Sequence, residues 1–381
     1  MIYLDAAATT AVRREVLEAM WPYLTGEFGN PSSHHGVGRA AAEALKGARV
    51  SVAEVLGCRA GEIVFTAGGT EADNLAIKGI ALANPRGKHL VTTAIEHEAV
   101  LESCAYLERV HGFAVTYLPV DRFGMVSVAD AIAALRPETT LCSVMLANNE
   151  VGTIQPVAEI AAAARAMGVP VHTDAVQAAG ALELGVKALG VDAMSLSGHK
   201  LGAPKGTGVL FLKGRVAVEP VMHGGGQEKG RRSGTENVAG AVGFALALRM
   251  AHAGRVERIA RVSRLRDALI RGVLEGVPSA VLTGHPSARL PGSASFCFPG
   301  TSGEAVLLSL EERGIVCSSG SACAAGSDEP SHVLMAMGFS REVAQTAVRF
   351  TLGDGVTAEQ VAEVAGAVRD GVRAVMGIGG R

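Results

Sequence analysis

A short apolar run, VPVHTDAVQAAG, ends in His172, Asp174 and Gln177, and a later one, AMSLSGHKLGAPKGTG, leads into His199 and Lys200 among glycines. In open α/β sheets the carboxyl ends of strands line the ligand crevice, so Asp174 stands where a ligand would sit. A lysine at the mouth of an apolar site gives up its proton readily and serves as a Schiff-base amine. Upstream, VFTAGGTEADNLAIKG passes from a strand through Gly68, Gly69 and Thr70 into a helix. Backbone N–H groups at a helix N-terminus, approached over glycines, make a cup for a phosphate. Each feature alone has an ordinary reading: Thr70 as a helix cap, Asp174 as a capping carboxylate, Lys200 as a solvated surface charge. As a set they are the three contacts that a phosphate-bearing pyridine aldehyde requires. The cup takes the phosphate, the acid holds the pyridinium proton and the amine forms the imine.

The elements that must position these residues read as alternating strands and helices. Strand-like runs EIVFTA, KHLVTTA, AVTYLPV, TTLCSVML, VPVHTDA, AMSLSG and GVLFLK alternate with helical stretches such as 40–56, 70–83 and 157–166. This predicts an α/β fold around a mostly parallel sheet. A long helix over roughly 241–275 then leads to a smaller unit. It holds a strand near Ala280, the strand SASFCF, a helix from Ser302, a Gly/Ser/Cys-rich loop over 317–328, the strand AVRFTLG and a terminal helix. A length of 381 residues suits two domains.

Composition narrows the function classes. Lys+Arg of 35 against Asp+Glu of 37 gives a net charge of -2, with no overall pull toward nucleic acid or anionic lipid. No apolar run is long enough to span a membrane, and the first residues lack a secretory pattern, so a cytoplasmic protein is expected. The six cysteines contain no CxxC pair, which argues against structural zinc and a disulfide framework. Only eight of the basic residues are Lys, so an amine-dependent reaction has few candidates. The segment Gly36–Val37–Gly38 resembles a dinucleotide fingerprint, but no strand precedes it; Gly202–Lys205–Gly206 has the wrong order for a P-loop; His97–Glu98 lacks a zinc protease's second histidine.

GGTEADNLAIKG, IEHEAVLE, MLANNEVGTIQP, HTDAVQAAG, SGHKLGAPKGTG, HGGGQEKGRRSGTEN and SSGSACAAG, in this order, resemble the cysteine desulfurases of the NifS/IscS type, within the class V aminotransferase-like pyridoxal-phosphate enzymes. YLDAAATT and GNPSSHHGVGR match as well, so the resemblance covers essentially the whole chain. It implies fold type I of the pyridoxal-phosphate-dependent transferases: a large domain over 15–255 with a seven-stranded sheet, and a smaller α/β domain formed by 1–14 with 256–381. It also implies that Lys200 carries the cofactor, Asp174 pairs with the pyridine nitrogen, and His97 stacks on the ring and relays protons. Gln177 would bond the ring oxygen, and Gly69, Thr70, Ser197 and His199 would form the phosphate site. Thr235 would reach the cofactor of the neighbouring subunit, which implies a homodimer. Asn149 and Arg349 match the positions holding the substrate carboxylate, with Asn149 also beside the cofactor; Asn30 is a weaker substrate contact.

By the same resemblance Cys323 is the nucleophile that takes sulfur from L-cysteine as a persulfide, releases alanine and passes the sulfur to an acceptor protein. Iron–sulfur cluster assembly, tRNA thiolation or another thio-cofactor pathway are the candidate destinations. Cys317 starts the same loop, but it ends the apolar run GIVC and is expected to pack. No firm metal site is expected; Cys323 is the one residue offered for a transient iron–sulfur contact. Glu98 stands where the family often has a basic residue, and Ala324–Ala325 where it often has Thr–Ser, so altered acceptor docking is expected. The short segment after the terminal helix puts the family's scaffold-docking tail in doubt. Rival readings are a selenocysteine lyase, another class V reaction, or a non-catalytic binding protein. The loop cysteine argues against transamination, and Lys200, Asp174, His97 and Cys323 together argue against the last.

Overall fold

A computed structural model describes residues 1–83, 86–319 and 329–379. Its twelve strands, in chain order, are β1 (Ile2–Tyr3), β2 (Ile63–Thr66), β3 (His89–Thr93), β4 (Ala114–Leu118), β5 (Thr139–Ser143), β6 (Val171–Asp174), β7 (Ala193–Ser197), β8 (Gly208–Leu212), β9 (Val281–Thr283), β10 (Ser293–Cys297), β11 (Ile315–Val316) and β12 (Ala347–Thr351). Seven of them form one sheet in the order β2-β8-β7-β6-β5-β3-β4. Only β8 runs against the others, since it pairs antiparallel with both β2 and β7 while the remaining pairs are parallel.

Strands β3, β5, β6, β7 and β8 are buried along their whole length. That burial explains their near-continuous Val, Leu, Ala and Thr composition, because helices cover both faces of a parallel sheet. Three helices, Arg14–Thr25, Gly36–Leu56 and Val238–Ala253, gather on one side. The last is apolar almost all round, and Gly243 lets the first approach it closely: a Cβ there would lie 2.5 Å from Met20 Sδ.

The expected long helix over 241–275 is instead two helices, Val238–Ala253 and Arg255–Gly276, separated at Gly254. Its backbone, at φ -91° and ψ 11°, leaves the helical region, and glycine is the weakest residue for holding a helix through such a point. Beyond it, β9, β10 and β12 make a three-stranded antiparallel sheet, and β1 pairs in parallel with β11. Ile2 and Leu4 share an apolar cluster with residues from Val262 to Val372. No helix among the described residues is long and apolar enough to cross a membrane.

Candidate active site

The carboxyl ends of β2, β3, β5, β6 and β7 open onto one cavity of about 610 Å³. Its wall includes Gly69, Thr70, His97, Asn149, Asp174, Gln177, Ser197, His199, Lys200 and Arg349, brought from six separate stretches of chain. Asp174 is the last residue of β6; Ser197 ends β7, and the turn Gly198–Lys200 follows directly. His97 caps the helix Glu98–His111, with its Nδ1 accepting the Ala99 N–H at 3.1 Å. That bond fixes the ring and leaves Nε2 to carry the proton of the neutral form.

The recess at the start of the helix that follows β2 is shaped by close packing. Gly69 starts the helix Gly69–Ala83, and a Cβ there would meet Val176 Cγ2 at 2.8 Å and Ser197 Cβ at 3.4 Å. Thr70 lies inside the first turn, two positions after the cap position, and is exposed toward the cavity. His199 is held through Nδ1 by Thr9 Oγ1 at 3.2 Å, and burial followed by the charges of Lys200 and Lys205 pushes its pKa down to about 4. A neutral imidazole at this wall of the cavity offers a hydrogen bond and no charge.

Asp174 accepts the Val176 N–H at 2.9 Å through Oδ1. Burial raises its pKa, and the facing His97 and Lys200 side chains together with that N–H act in the opposite direction. A cation brought against this carboxylate would favour its charged form further. Beneath it lies a polar layer that the sequence reading missed. Asp73 Oδ1 is 3.6 Å from His172 Nε2, while the His172 ring meets Ser143 Oγ and Ser195 Oγ at 2.9 Å each. Burial pushes His172 down to about 3, so it is neutral, and burial plus the neighbouring Asp174 holds the Asp73 pKa well above the carboxylate range. Glu96, beside His97, is also fully buried and pushed up to about 8 by burial. Its Oε1 accepts the Thr93 hydroxyl at 2.8 Å and the Met145 N–H at 2.9 Å.

Lys200 Nζ donates to the Ala7 carbonyl and, at 2.7 Å, to the Ala8 carbonyl. Gln177 Nε2 donates to the same Ala7 carbonyl at 3.0 Å. Arg349, on β12, is 2 % exposed; its guanidinium donates to the Asn149 carbonyl and to Asp5 Oδ1 at 2.8 Å each.

Two residues named from sequence lie elsewhere in this chain. Asn30 is exposed and accepts the Ser32 N–H at 2.9 Å, and it does not line the cavity. Thr235 borders a separate cleft of about 200 Å³ beside Arg232 and Asn237. Cys323, with Ala324 and Ala325, lies outside the described residues. The segments flanking that stretch are anchored. Ser318 exchanges backbone bonds with Arg349, 2.6 and 3.2 Å. Ser331 donates to Glu150 Oε2, and His332 Nε2 lies 3.0 Å from the Glu96 carbonyl. Cys317 is half-buried among apolar residues, and burial raises its thiol to about 12, which leaves it a poor nucleophile. Cys58, Cys104, Cys142 and Cys297 are likewise raised to about 12 by burial.

An amine, a buried acid and an imidazole converging at the carboxyl edge of this sheet, next to a glycine recess at a helix start, fit pyridoxal phosphate and define a pyridoxal-phosphate enzyme. The aminotransferase class-V family model matches residues 2–364, and the chain belongs to that family. It is 48% identical over 364 residues to the cysteine desulfurase IscS of Methanosarcina thermophila, an alignment covering 95% of this chain and 90% of that protein. A solved NifS-like protein superposes with a TM-score of 0.90 at 38% identity, covering 97% of this chain and 98% of that one. SspA in complex with cysteine superposes with a TM-score of 0.82 at 37% identity, covering 92% and 99%.

Proposed function

We propose that the protein is a cysteine desulfurase, removing sulfur from L-cysteine to give L-alanine and a persulfide on Cys323. The observation that carries this is the meeting of Lys200, Asp174, His97 and Arg349 around one cavity, in a chain closely similar to named desulfurases. Pyridoxal phosphate, when bound, supplies the aldehyde that takes up the substrate amine and a ring that stores the electron pair of the Cα–H bond. Asp174 would pair with the ring nitrogen and hold its proton there. The Lys200 amine removes the Cα proton, and the Ala7 and Ala8 carbonyls give that amine a place when it is not bonded to the cofactor. His97, fixed at the cavity wall, would stack on the ring and relay a proton. Arg349 and Asn149 hold the substrate carboxylate. The Cys323 thiolate then attacks the substrate sulfur; the new S–S bond forms as the substrate C–S bond breaks, the C–S electron pair stays with Cβ and takes up a proton, Cα regains its proton from the Lys200 amine, and the carbon skeleton leaves as alanine.

The active form is a homodimer in which Thr235 reaches the partner's cofactor phosphate. Leu17, Trp21 and Leu24, on one helix face, together with Phe28, are 52–73% exposed and supply apolar surface suited to a second copy. Residues 15–255 form the cofactor domain, and 1–14 with 256–381 the smaller one, a division supported by the shared apolar cluster of Ile2 and Leu4 with residues beyond 262. The sulfur goes to an acceptor protein serving iron–sulfur cluster assembly, tRNA thiolation or another thio-cofactor.

The deciding experiment incubates the loaded enzyme with L-cysteine and measures alanine and protein-bound persulfide, then repeats it with L-selenocysteine and candidate acceptors. Alanine without a persulfide at Cys323, or turnover of selenocysteine alone, would overturn the reading.

A further inference from the structure

The segment from Leu4 to Thr10 crosses between β12 and the turn that bears Lys200. On one side Thr351 N donates to the Leu4 carbonyl at 2.7 Å, and Ala6 N and Ala7 N donate to the Thr351 carbonyl and hydroxyl at 3.2 and 2.9 Å. On the other, Thr10 donates twice to the His199 carbonyl, from N at 2.9 Å and from Oγ1 at 2.7 Å. Tyr3 Oη closes the bend by donating to the Asp5 and Thr9 carbonyls at 3.0 and 2.9 Å. Backbone bonds at both ends therefore fix where the Asp5 carboxylate stands. It stands 2.8 Å from Arg349, in a pair whose side chains are 16% and 2% exposed.

We propose that Asp5 is a positioning residue for Arg349, holding the guanidinium in the plane that receives a ligand's α-carboxylate and so selecting amino acids over amines. This rests on the reading of Arg349 as the carboxylate anchor. A guanidinium recognises a carboxylate through parallel N–H bonds, a geometry that tolerates little rotation. The Asn149 carbonyl takes one N–H from Nη1, and Asp5 takes one from Nη2; two partners on different nitrogens stop the fork from turning about its stem. Asp5 also lowers the net charge at the anchor, and the two effects predict opposite outcomes when it is removed. Loss of positioning weakens carboxylate binding, whereas loss of a competing anion tightens it.

The test titrates Asp5→Ala, loaded with cofactor, against L-cysteine and against cysteamine, the same thiol and amine without the carboxylate, following KM and the ligand-induced change in cofactor colour. KM for L-cysteine is expected to rise about tenfold, the usual cost of one charge-assisted bond, with the cysteamine response within about twofold of the parent enzyme. A KM for L-cysteine that is unchanged or lower, or an equal loss for both ligands, overturns the proposal. Asp5→Asn, which keeps the shape, substitutes if Asp5→Ala does not retain the colour. Arg349→Lys separates the two levels. If it leaves the preference for L-cysteine over cysteamine intact, the anchor reading itself fails; if it abolishes the preference while Asp5→Ala does not, only the role of Asp5 fails.

Discussion

Lys200 is the single lysine on the wall of the cavity among the described residues. Lys200→Ala is expected to leave the protein folded and colourless after incubation with pyridoxal phosphate; an unchanged visible spectrum would refute its assignment as the cofactor-bearing amine. Glu96 allows a prediction about pH. Its acid is held at about 8 in the fold against 4.5 for the free side chain, so the folded state binds the proton more tightly. The stability this gives is complete below about 4.5 and is lost as pH rises through about 8. Glu96→Gln imitates the protonated acid and keeps the acceptor for Thr93 and Met145, so the variant should lose less melting temperature than the parent between about pH 5 and pH 9. Equal losses would show that Glu96 does not titrate in that range. At this scale the sequence made Asp174 and Lys200 legible because strand ends and glycine turns announce a crevice. Asp5, Asp73 and Glu150 stayed hidden, because an isolated acid carries no signal of the partner that folding brings to it. Asp5 lay inside the quoted YLDAAATT, where only the pairing with Arg349 gives it meaning.

The elements were more readable than their ends. All seven strands of the large sheet correspond to runs of apolar and β-branched residues, and the helix Val157–Ala166 has the expected limits. Strands β1 and β11, two residues each, carry no periodicity and exist only through pairing with each other. Two further expectations belong to elements. Arg49, in the helix Gly36–Leu56, grips Glu228 with both nitrogens at 2.7 Å, tying that helix to the turn that leads toward Thr235. Arg49→Met leaves the Glu228 carboxylate buried without its cation and should cost about 3 kcal/mol, read as a lower denaturant midpoint. Gly69→Val drives a side chain into Val176 and Ser197, and should weaken uptake of pyridoxal phosphate about tenfold or more in a colour titration while leaving the far-ultraviolet dichroism unchanged.

For the molecule as a whole, the exposed face formed by Leu17, Trp21 and Leu24 predicts association. Trp21→Glu together with Leu24→Glu should halve the mass in solution and remove the dependence of the melting temperature on protein concentration. A dimer that persists would assign the interface to another surface. The contact between Asp5 and Arg349 joins positions 344 residues apart, and Ala7 reaches Lys200 over 193. A chain made from its N-terminus therefore exposes Lys200, the proposed cofactor amine, long before the strand carrying Arg349, the proposed carboxylate anchor, has been synthesised. On the proposed assignments, substrate handling is tied to completion of the chain: a ribosome-bound fragment ending before β12 holds Lys200 but lacks Arg349.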